Sequence, residues 1–305
     1  GPLPGFLRSA IFPHMTNVSR TCPVCGSGTN DPIPAYRKHH LGTCRSCSMV
    51  YATVRPTDKE LDDLYSSYPI KADLSPITRL RFLELLGGME AYRRTTRILD
   101  VGSGSGFFLD VAATQGWSVY GVEYDPAIVH ACAQRGITMQ QGSFDPDAWE
   151  VGSFDAITSF EVLEHVMDPQ AEVSKFARSI RPGGLLYITT PNFNALSRWL
   201  SHPTWNIINY PEHLNYFTPS SLDRLLRAHG FKKDRLTTTG ISISRVRSSM
   251  TGRQQENVDP NNDDERLRRR IESSKALGIA KSLANSVLGI LGKGDTIKAW
   301  YRRSP

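Results

Sequence analysis

The sequence predicts an α/β fold, a largely parallel sheet with helices on both faces, preceded by a small cysteine-bearing unit. Three observations carry that prediction. Residues 97–115 read as strand, glycine turn and helix. Apolar runs and helix-spaced runs then alternate as far as residue 190. Four of the five cysteines fall into two C-x2-C pairs near the start of the chain.

The 305-residue length accommodates one large α/β domain and a small appendage. Hydrophobic residues at 39% and a mean hydropathy of −0.33 fit a soluble globular chain, and no apolar run reaches bilayer-spanning length. Residues 1–14 read as a tag or disordered leader ahead of Met15; they lack the pattern of a signal peptide, so a cytoplasmic location is expected. A net charge of +6 permits an anionic partner without requiring one. The densest basic run, Arg266-Leu267-Arg268-Arg269-Arg270, follows Asp263, Asp264 and Glu265, and reads as a solvated helix face rather than a nucleic-acid contact.

Residues 15–54 make the first unit. Cys22, Cys25, Cys44 and Cys47 follow C-x2-C-x18-C-x2-C, the spacing of a tetrahedral zinc ribbon. Each pair turns two sulfurs toward one ion, and two pairs fill its four positions, so the expected Zn2+ is structural. Disulfides are disfavoured in a cytosolic chain. A unit of this size buries little, and metal binding would supply its folding free energy. His39 and His40, between the pairs, read as loop surface.

Residues 55–95 read as a helical bridge or lid. Pro56-Thr57-Asp58-Lys59-Glu60 starts one helix, with Leu61, Leu64, Tyr65 and Tyr68 at helical spacing. Tyr65 and Tyr68 either cover a ligand or pack the bridge. A second helix is expected from Ser75 to Met89.

The main domain, residues 96–305, opens on Ile98-Leu99-Asp100-Val101, a buried-strand run ending near an acid. Gly102, Gly104 and Gly106 follow at every second position, where bare backbone can press against a ligand. The FFLDVAATQG run then has helical spacing. A dinucleotide fingerprint would place its third glycine where Phe107 stands. The next strand, Trp117 to Val122, leads to Glu123, placed to hold a ribose.

Asp100-Val101-Gly102-Ser103-Gly104-Ser105-Gly106 resembles the acid-x-GxGxG motif of class I S-adenosylmethionine (SAM) methyltransferases. The resemblance implies a Rossmann-like seven-stranded class I sheet with helices on both faces, and SAM as cofactor. It assigns cofactor contact to Asp100, Gly102, Ser103, Gly104, Gly106, Phe107, Glu123 and Tyr124. Ser143 or Phe144, after the third strand (137–141), would contact adenine without an acidic partner. Cys132, on the helix over 126–135, reads as a small core residue.

The fourth strand, Phe154 to Phe160, runs into Glu161-Val162-Leu163-Glu164-His165-Val166-Met167-Asp168-Pro169. VLEHVxDP is similar to SAM methyltransferases of small molecules and lipids, which brings Phe160 and Glu161 to the cofactor side. For His165 a cofactor-side contact, a basic role and a structural hydrogen bond all stand open. A helix at 170–180 and a strand from Leu185 to Thr190 deliver a long aromatic segment, 191–217, at the family's substrate-binding insertion. Thr218-Pro219-Ser220-Ser221-Leu222 opens another helix, and strand sequence resumes at 236–246. Residues 251–264 read as a loop and 265–291 as a helix near helical spacing, a helical insertion near 249–293 that packs on the domain or lies on a membrane surface. Thr296 to Tyr301 reads as a last strand completing an antiparallel hairpin.

SAM carries its methyl group on a sulfonium, and the enzyme must align the acceptor and take its proton. His213, in Tyr210-Pro211-Glu212-His213-Leu214-Asn215-Tyr216-Phe217, is the expected general base. Glu212 would orient it or bind a sugar hydroxyl, and Tyr210 would stack or hydrogen-bond. This Glu-His pair resembles the active-site segment of sugar C-methyltransferases that also begin with a four-cysteine zinc module; those enzymes continue into a further large domain, so O-methylation is favoured here. The expected activity is methyl transfer to a sugar, nucleotide-sugar or secondary metabolite. An rRNA or tRNA methyltransferase is the alternative, against which stands the lack of an NPPY-type tetrapeptide, and a non-catalytic scaffold is the third reading.

Overall fold

A computed structural model describes residues 19–57, 59–61, 73–240 and 287–305. The leader, Tyr65 and Tyr68, the 251–264 loop, the basic run at 266–270 and most of the helix expected over 265–291 lie outside the described residues.

The main sheet has seven strands. They are β4 (Arg97–Val101), β5 (Ser118–Glu123), β6 (Thr138–Gln141), β7 (Phe154–Phe160), β8 (Ile180–Pro191), β10 (Phe231–Thr239) and β11 (Thr296–Arg303), in the order β10-β11-β8-β7-β4-β5-β6. β6, β5, β4, β7 and β8 run parallel, and the β10–β11 hairpin joins β8 antiparallel. The chain fills one side of β4 with β5 and β6, then crosses to the other side with β7 and β8. Carboxyl ends of strands at such a switch point diverge and leave a crevice for ligands.

Helix starts follow a repeated local device. Ser75, Asp125, Asp168 and Thr218 each stand as N-cap, with proline next, ahead of α1 (Pro76–Met89), α3 (Pro126–Gln134), α4 (Pro169–Ser179) and α6 (Pro219–Ala228). The cap side chain accepts an otherwise orphaned N–H, and proline gives up one that had no partner. Between them lies α2 (Phe107–Thr114), started by the glycine turn itself. One further short helix, α5 (Leu196–Ser201), lies inside the segment that the sequence left without regular structure.

One face of the sheet buries Leu99, Ile157, Phe176, Leu186 and Tyr301; the other buries Ile98, Phe108, Trp117 and Tyr187. Residues Ile98 and Leu99 are wholly buried, as a central parallel strand covered on both faces requires. Cys132 is also wholly buried, the small core residue its helix position suggested.

β10 starts earlier than the strand expected at 236–246, because the charged run Lys232–Arg235 is strand after all. β10 is an edge strand whose residues Lys232 to Arg235 are exposed, with Asp234 paired to Arg302 of β11, a place where charge is tolerated and discourages edge pairing.

The cysteine unit contributes β1 (Asn30–Pro32), β2 (Leu41–Cys44) and β3 (Val50–Ala52) to a second, antiparallel sheet. Its fourth strand, β9 (Asn215–Tyr216), comes from the aromatic segment of the main domain and completes the order β1-β2-β3-β9. Val50 stands opposite Tyr216, and Tyr51 opposite Asn215. Tyr36, Leu41, Val50 and Ala52 share one buried cluster with Trp205, Ile208, Leu214 and Tyr216. The ribbon therefore does not stand on metal energy alone; it shares a core with the main domain.

Candidate functional site

At the end of β4, Gly102, Gly104 and Gly106 have φ of +75°, +50° and +75°, a region costly for any residue with a Cβ. Packing adds to this at the outer two. A Cβ at Gly102 would stand 2.5 Å from Val162 Cγ2, and one at Gly106 2.8 Å from Cys132 Sγ. Around Gly104 a Cβ would meet no atom within 4 Å, so the middle of the turn is open to a ligand.

Two acids flank that turn. Glu123, at the end of β5, accepts from Gly104 N–H at 2.8 Å and from Tyr124 N–H at 2.7 Å. Asp100 is buried, and Thr158 Oγ1 donates to it at 2.7 Å. Burial pushes the Asp100 carboxyl up to about 7, against the Thr158 hydrogen bond and with the Glu123 charge adding to the rise. The turn's own Gly102, Ser103, Gly104 and Gly106 N–H groups already donate to Val122 O, Glu123 and Ser103 O, so the N-terminus of α2 and the two acids at adjacent strand ends are the groups that suit the amino-acid and ribose portions of SAM.

The other cofactor-side candidates are spread around this crevice. Ser103 and Phe107 are partly exposed, and Tyr124 and Ser143 are exposed, Tyr124 at 64%. Phe144 is buried against Phe176, with ring centroids 5.8 Å apart, so its ring belongs to the core. Phe160 meets Phe108 edge-on at 5.0 Å. Glu161 holds a φ of +53°, a left-handed conformation rare outside glycine that turns the chain sharply after β7.

Beyond that turn, Glu164, His165 and His213 bring their side-chain ligand atoms within 4.8 Å of one another. The two imidazoles meet edge to face with centroids 4.7 Å apart. His165 Nδ1 lies 2.8 Å from the Glu212 carbonyl, and His213 Nδ1 2.8 Å from the Ile207 carbonyl. A carbonyl only accepts, so both rings donate from Nδ1, and in each neutral ring Nε2 is the basic nitrogen. Burial lowers the His165 pKa, which keeps that ring neutral. Glu164 is raised well above the usual carboxylate range by burial and by the Glu161 charge, although Thr190 Oγ1 donates to it at 2.9 Å.

His213 is thus oriented through its Nδ1 by the Ile207 carbonyl. The Glu212 carboxylate accepts from Asn209, and it is the Glu212 backbone that holds His165. Tyr210 turns toward the ribbon and meets His40 edge-on at 5.0 Å. His40 is therefore engaged by the main domain. Glu164, absent from the sequence-derived set, is the buried member of the cluster; its adjacency to His165 after a buried strand was the available signal.

Val162, one residue past the Glu161 turn, is the side chain that abuts Gly102. The loop that carries His165 therefore starts against the glycine turn, at the carboxyl ends of β4 and β7.

The four cysteines converge. Cys22 and Cys47 Sγ atoms are 3.5 Å apart, those of Cys25 and Cys44 3.6 Å, and all four lie within 4.8 Å of one another. Zn–S bonds of about 2.3 Å in a tetrahedron place sulfurs roughly 3.8 Å apart, so the donor set fits the ion. Both knuckles close alike: Gly26 N–H donates to Cys22 O and Ser48 N–H to Cys44 O, each at 2.9 Å, with Gly26 and Ser48 left-handed. No described helix is long and apolar enough to cross a membrane.

Comparison with known proteins follows the same lines. A family model described as a methyltransferase domain matches residues 73–236. The ubiquinone biosynthesis O-methyltransferase of Xanthomonas oryzae pv. oryzae is 37% identical over 103 residues, 32% of this chain and 43% of that protein. The protein of the same name from Alkalilimnicola ehrlichii is 34% identical over 136 residues, 41% of this chain and 52% of that protein. The chain thus spans about half the length of these relatives. A solved structure from Galdieria sulphuraria, catalogued as a candidate sarcosine dimethylglycine methyltransferase, shares the fold with a TM-score of 0.50 at 20% identity, covering 74% of this chain and 84% of that one.

Proposed function

The chain belongs to the methyltransferase-domain family, and we propose that it transfers the methyl group of SAM to a hydroxyl of a small-molecule acceptor, with His213 as general base. The observation that carries this reading is the pair of imidazoles with Nδ1 tied to backbone carbonyls, His165 standing three residues after the Val162 that abuts Gly102. SAM, when bound, supplies an electrophilic methyl on a sulfonium.

The remaining work belongs to the chain. Glu123 would hold the ribose hydroxyls, and the first N–H groups of α2 would meet the amino-acid end. Gly104 leaves the room that a side chain would take. His213 Nε2 takes the proton of the acceptor hydroxyl, and Ile207 fixes the tautomer that makes this nitrogen basic. His165 keeps a neutral neighbour beside it, which avoids like-charge repulsion when His213 becomes protonated. The O-methyltransferase relatives support oxygen as the acceptor atom and a small molecule as the substrate. The four cysteines would hold one structural Zn2+, their thiolates filling its four positions and leaving none for substrate.

Methyl-labelled SAM offered with separate pools of sugars, nucleotide sugars, phenols and RNA tests the reading. Label and a mass gain of one methylene are expected in a small-molecule pool. Label confined to RNA would overturn it.

A further inference from the structure

We infer that the cysteine ribbon positions the imidazole pair, and that Arg20 and Asn215 are the positioning residues that connect them. Arg20 stands two residues ahead of Cys22 and is buried. Its Nη1 donates to the carbonyls of Ala52 at 2.9 Å and Leu214 at 3.2 Å; its Nη2 donates to Met167 O and Asn215 Oδ1, both at 2.9 Å. One guanidinium therefore ties ribbon strand β3 to the loop that carries His165 and to the residue after His213.

Asn215, also buried, continues the tie. Its Nδ2 donates to Leu163 O at 2.9 Å and Val166 O at 2.6 Å, on either side of His165. The N–H groups of Leu214 and Asn215 both donate to Glu164 O, and Ala52 N–H donates to Leu214 O at 2.9 Å. The segments bearing His165 and His213 are thereby fixed to each other and to β3.

All four acceptors of Arg20 are uncharged oxygens. Burying a cation without a carboxylate partner is expensive for stability, and such groups are better suited to specifying an arrangement. The planar fork matters as well, since four oxygens around one guanidinium cannot be met by the three donors of an ammonium. The cysteines hold the ribbon turn from which Arg20 projects, so loss of their metal loosens the same tie.

This inference rests on the zinc reading and on the imidazole pair as the reactive site. Nitrogen-15 imidazole spectra of the 305-residue chain test it, with S-adenosylhomocysteine affinity measured alongside by calorimetry. In the zinc-loaded wild type, His165 and His213 should both give Nδ1–H signals. In Arg20→Met, and in wild type treated with 1,10-phenanthroline, both should shift toward tautomer averaging while His130 stays in place. Affinity for S-adenosylhomocysteine should stay within about threefold, because the glycine turn lies outside the tie. Unchanged imidazole signals in either sample would overturn the inference. So would a collapse of S-adenosylhomocysteine binding together with them, which would make Arg20 a general folding residue. Should Arg20→Met fail to fold by circular dichroism, the chelated wild type decides alone. A wild type that never binds S-adenosylhomocysteine defeats the methyltransferase reading instead, and is distinguishable for that reason.

Discussion

The Glu123 carboxylate accepts a hydrogen bond from the Gly104 N–H at 2.8 Å, so the acid after β5 directly braces the glycine turn after β4. The parallel register that sets Val101 beside Val122 brings the two together. A ligand entering the crevice therefore meets a turn whose middle residue Glu123 already holds.

Gly104→Ala should separate folding from binding. Its Cβ meets no protein atom within 4 Å, leaving only the cost of a left-handed alanine, about 1–2 kcal/mol. The variant should fold, with a melting temperature a few degrees lower, and lose S-adenosylhomocysteine affinity by about tenfold or more. Gly102→Ala should instead cost more stability than Gly104→Ala and melt lower, since its Cβ would stand 2.5 Å from a Val162 methyl that has to move. Melting curves and calorimetry on the two variants check the contrast.

His213→Ala should abolish transfer while leaving the cofactor in place. Removing a general base costs about 10²–10⁴-fold in rate. Methyl transfer to whichever pool accepts label should fall by that factor, with S-adenosylhomocysteine affinity unchanged. Wild-type turnover by the variant would remove His213 from the mechanism.

Asp100 should make ligand-free stability fall as pH rises. Its folded pKa, pushed up to about 7 by burial, exceeds the ordinary value of about 3.9, so the folded chain binds the extra proton. The contribution is fully present below the unfolded pKa and is lost as pH climbs through 7, at up to about 1.4 kcal/mol per unit. Asp100→Asn keeps the shape and cannot titrate. Urea denaturation from pH 4.5 to 8 should show the wild type losing stability relative to this variant.

Zinc content should be about one ion per chain, and Cys44→Ser should lower it sharply, because three thiolates hold the ion less tightly than four. Elemental analysis after dialysis measures this. The ribbon shares a core with Trp205 and Leu214, so the metal-free variant should keep most of its far-ultraviolet circular dichroism and melt earlier.

Some elements were legible because they are local. Four helix starts pair a capping side chain with a following proline, and glycines with positive φ stand where the turn needs them. Other features resisted for equally physical reasons. The start of β10 was hidden by Lys232 to Arg235, whose charge is ordinary on an exposed edge and reads as loop in isolation. The Ile207 carbonyl that receives the His213 Nδ1–H lies six residues back along the chain, and no local pattern marks a backbone oxygen for that part.

The amino-acid sequence alone determined the strand–glycine–helix unit, the strand and helix alternation, and the cysteine spacing, because each is specified within a few consecutive residues by backbone sterics and hydrogen-bond supply. Only the tertiary structure decided that the ribbon sheet borrows Asn215 and Tyr216 as its last strand, and that Arg20 reaches a residue 195 positions away. Those contacts arise from buried donors finding whatever acceptors the folded core brings near, and no local pattern records which ones will arrive.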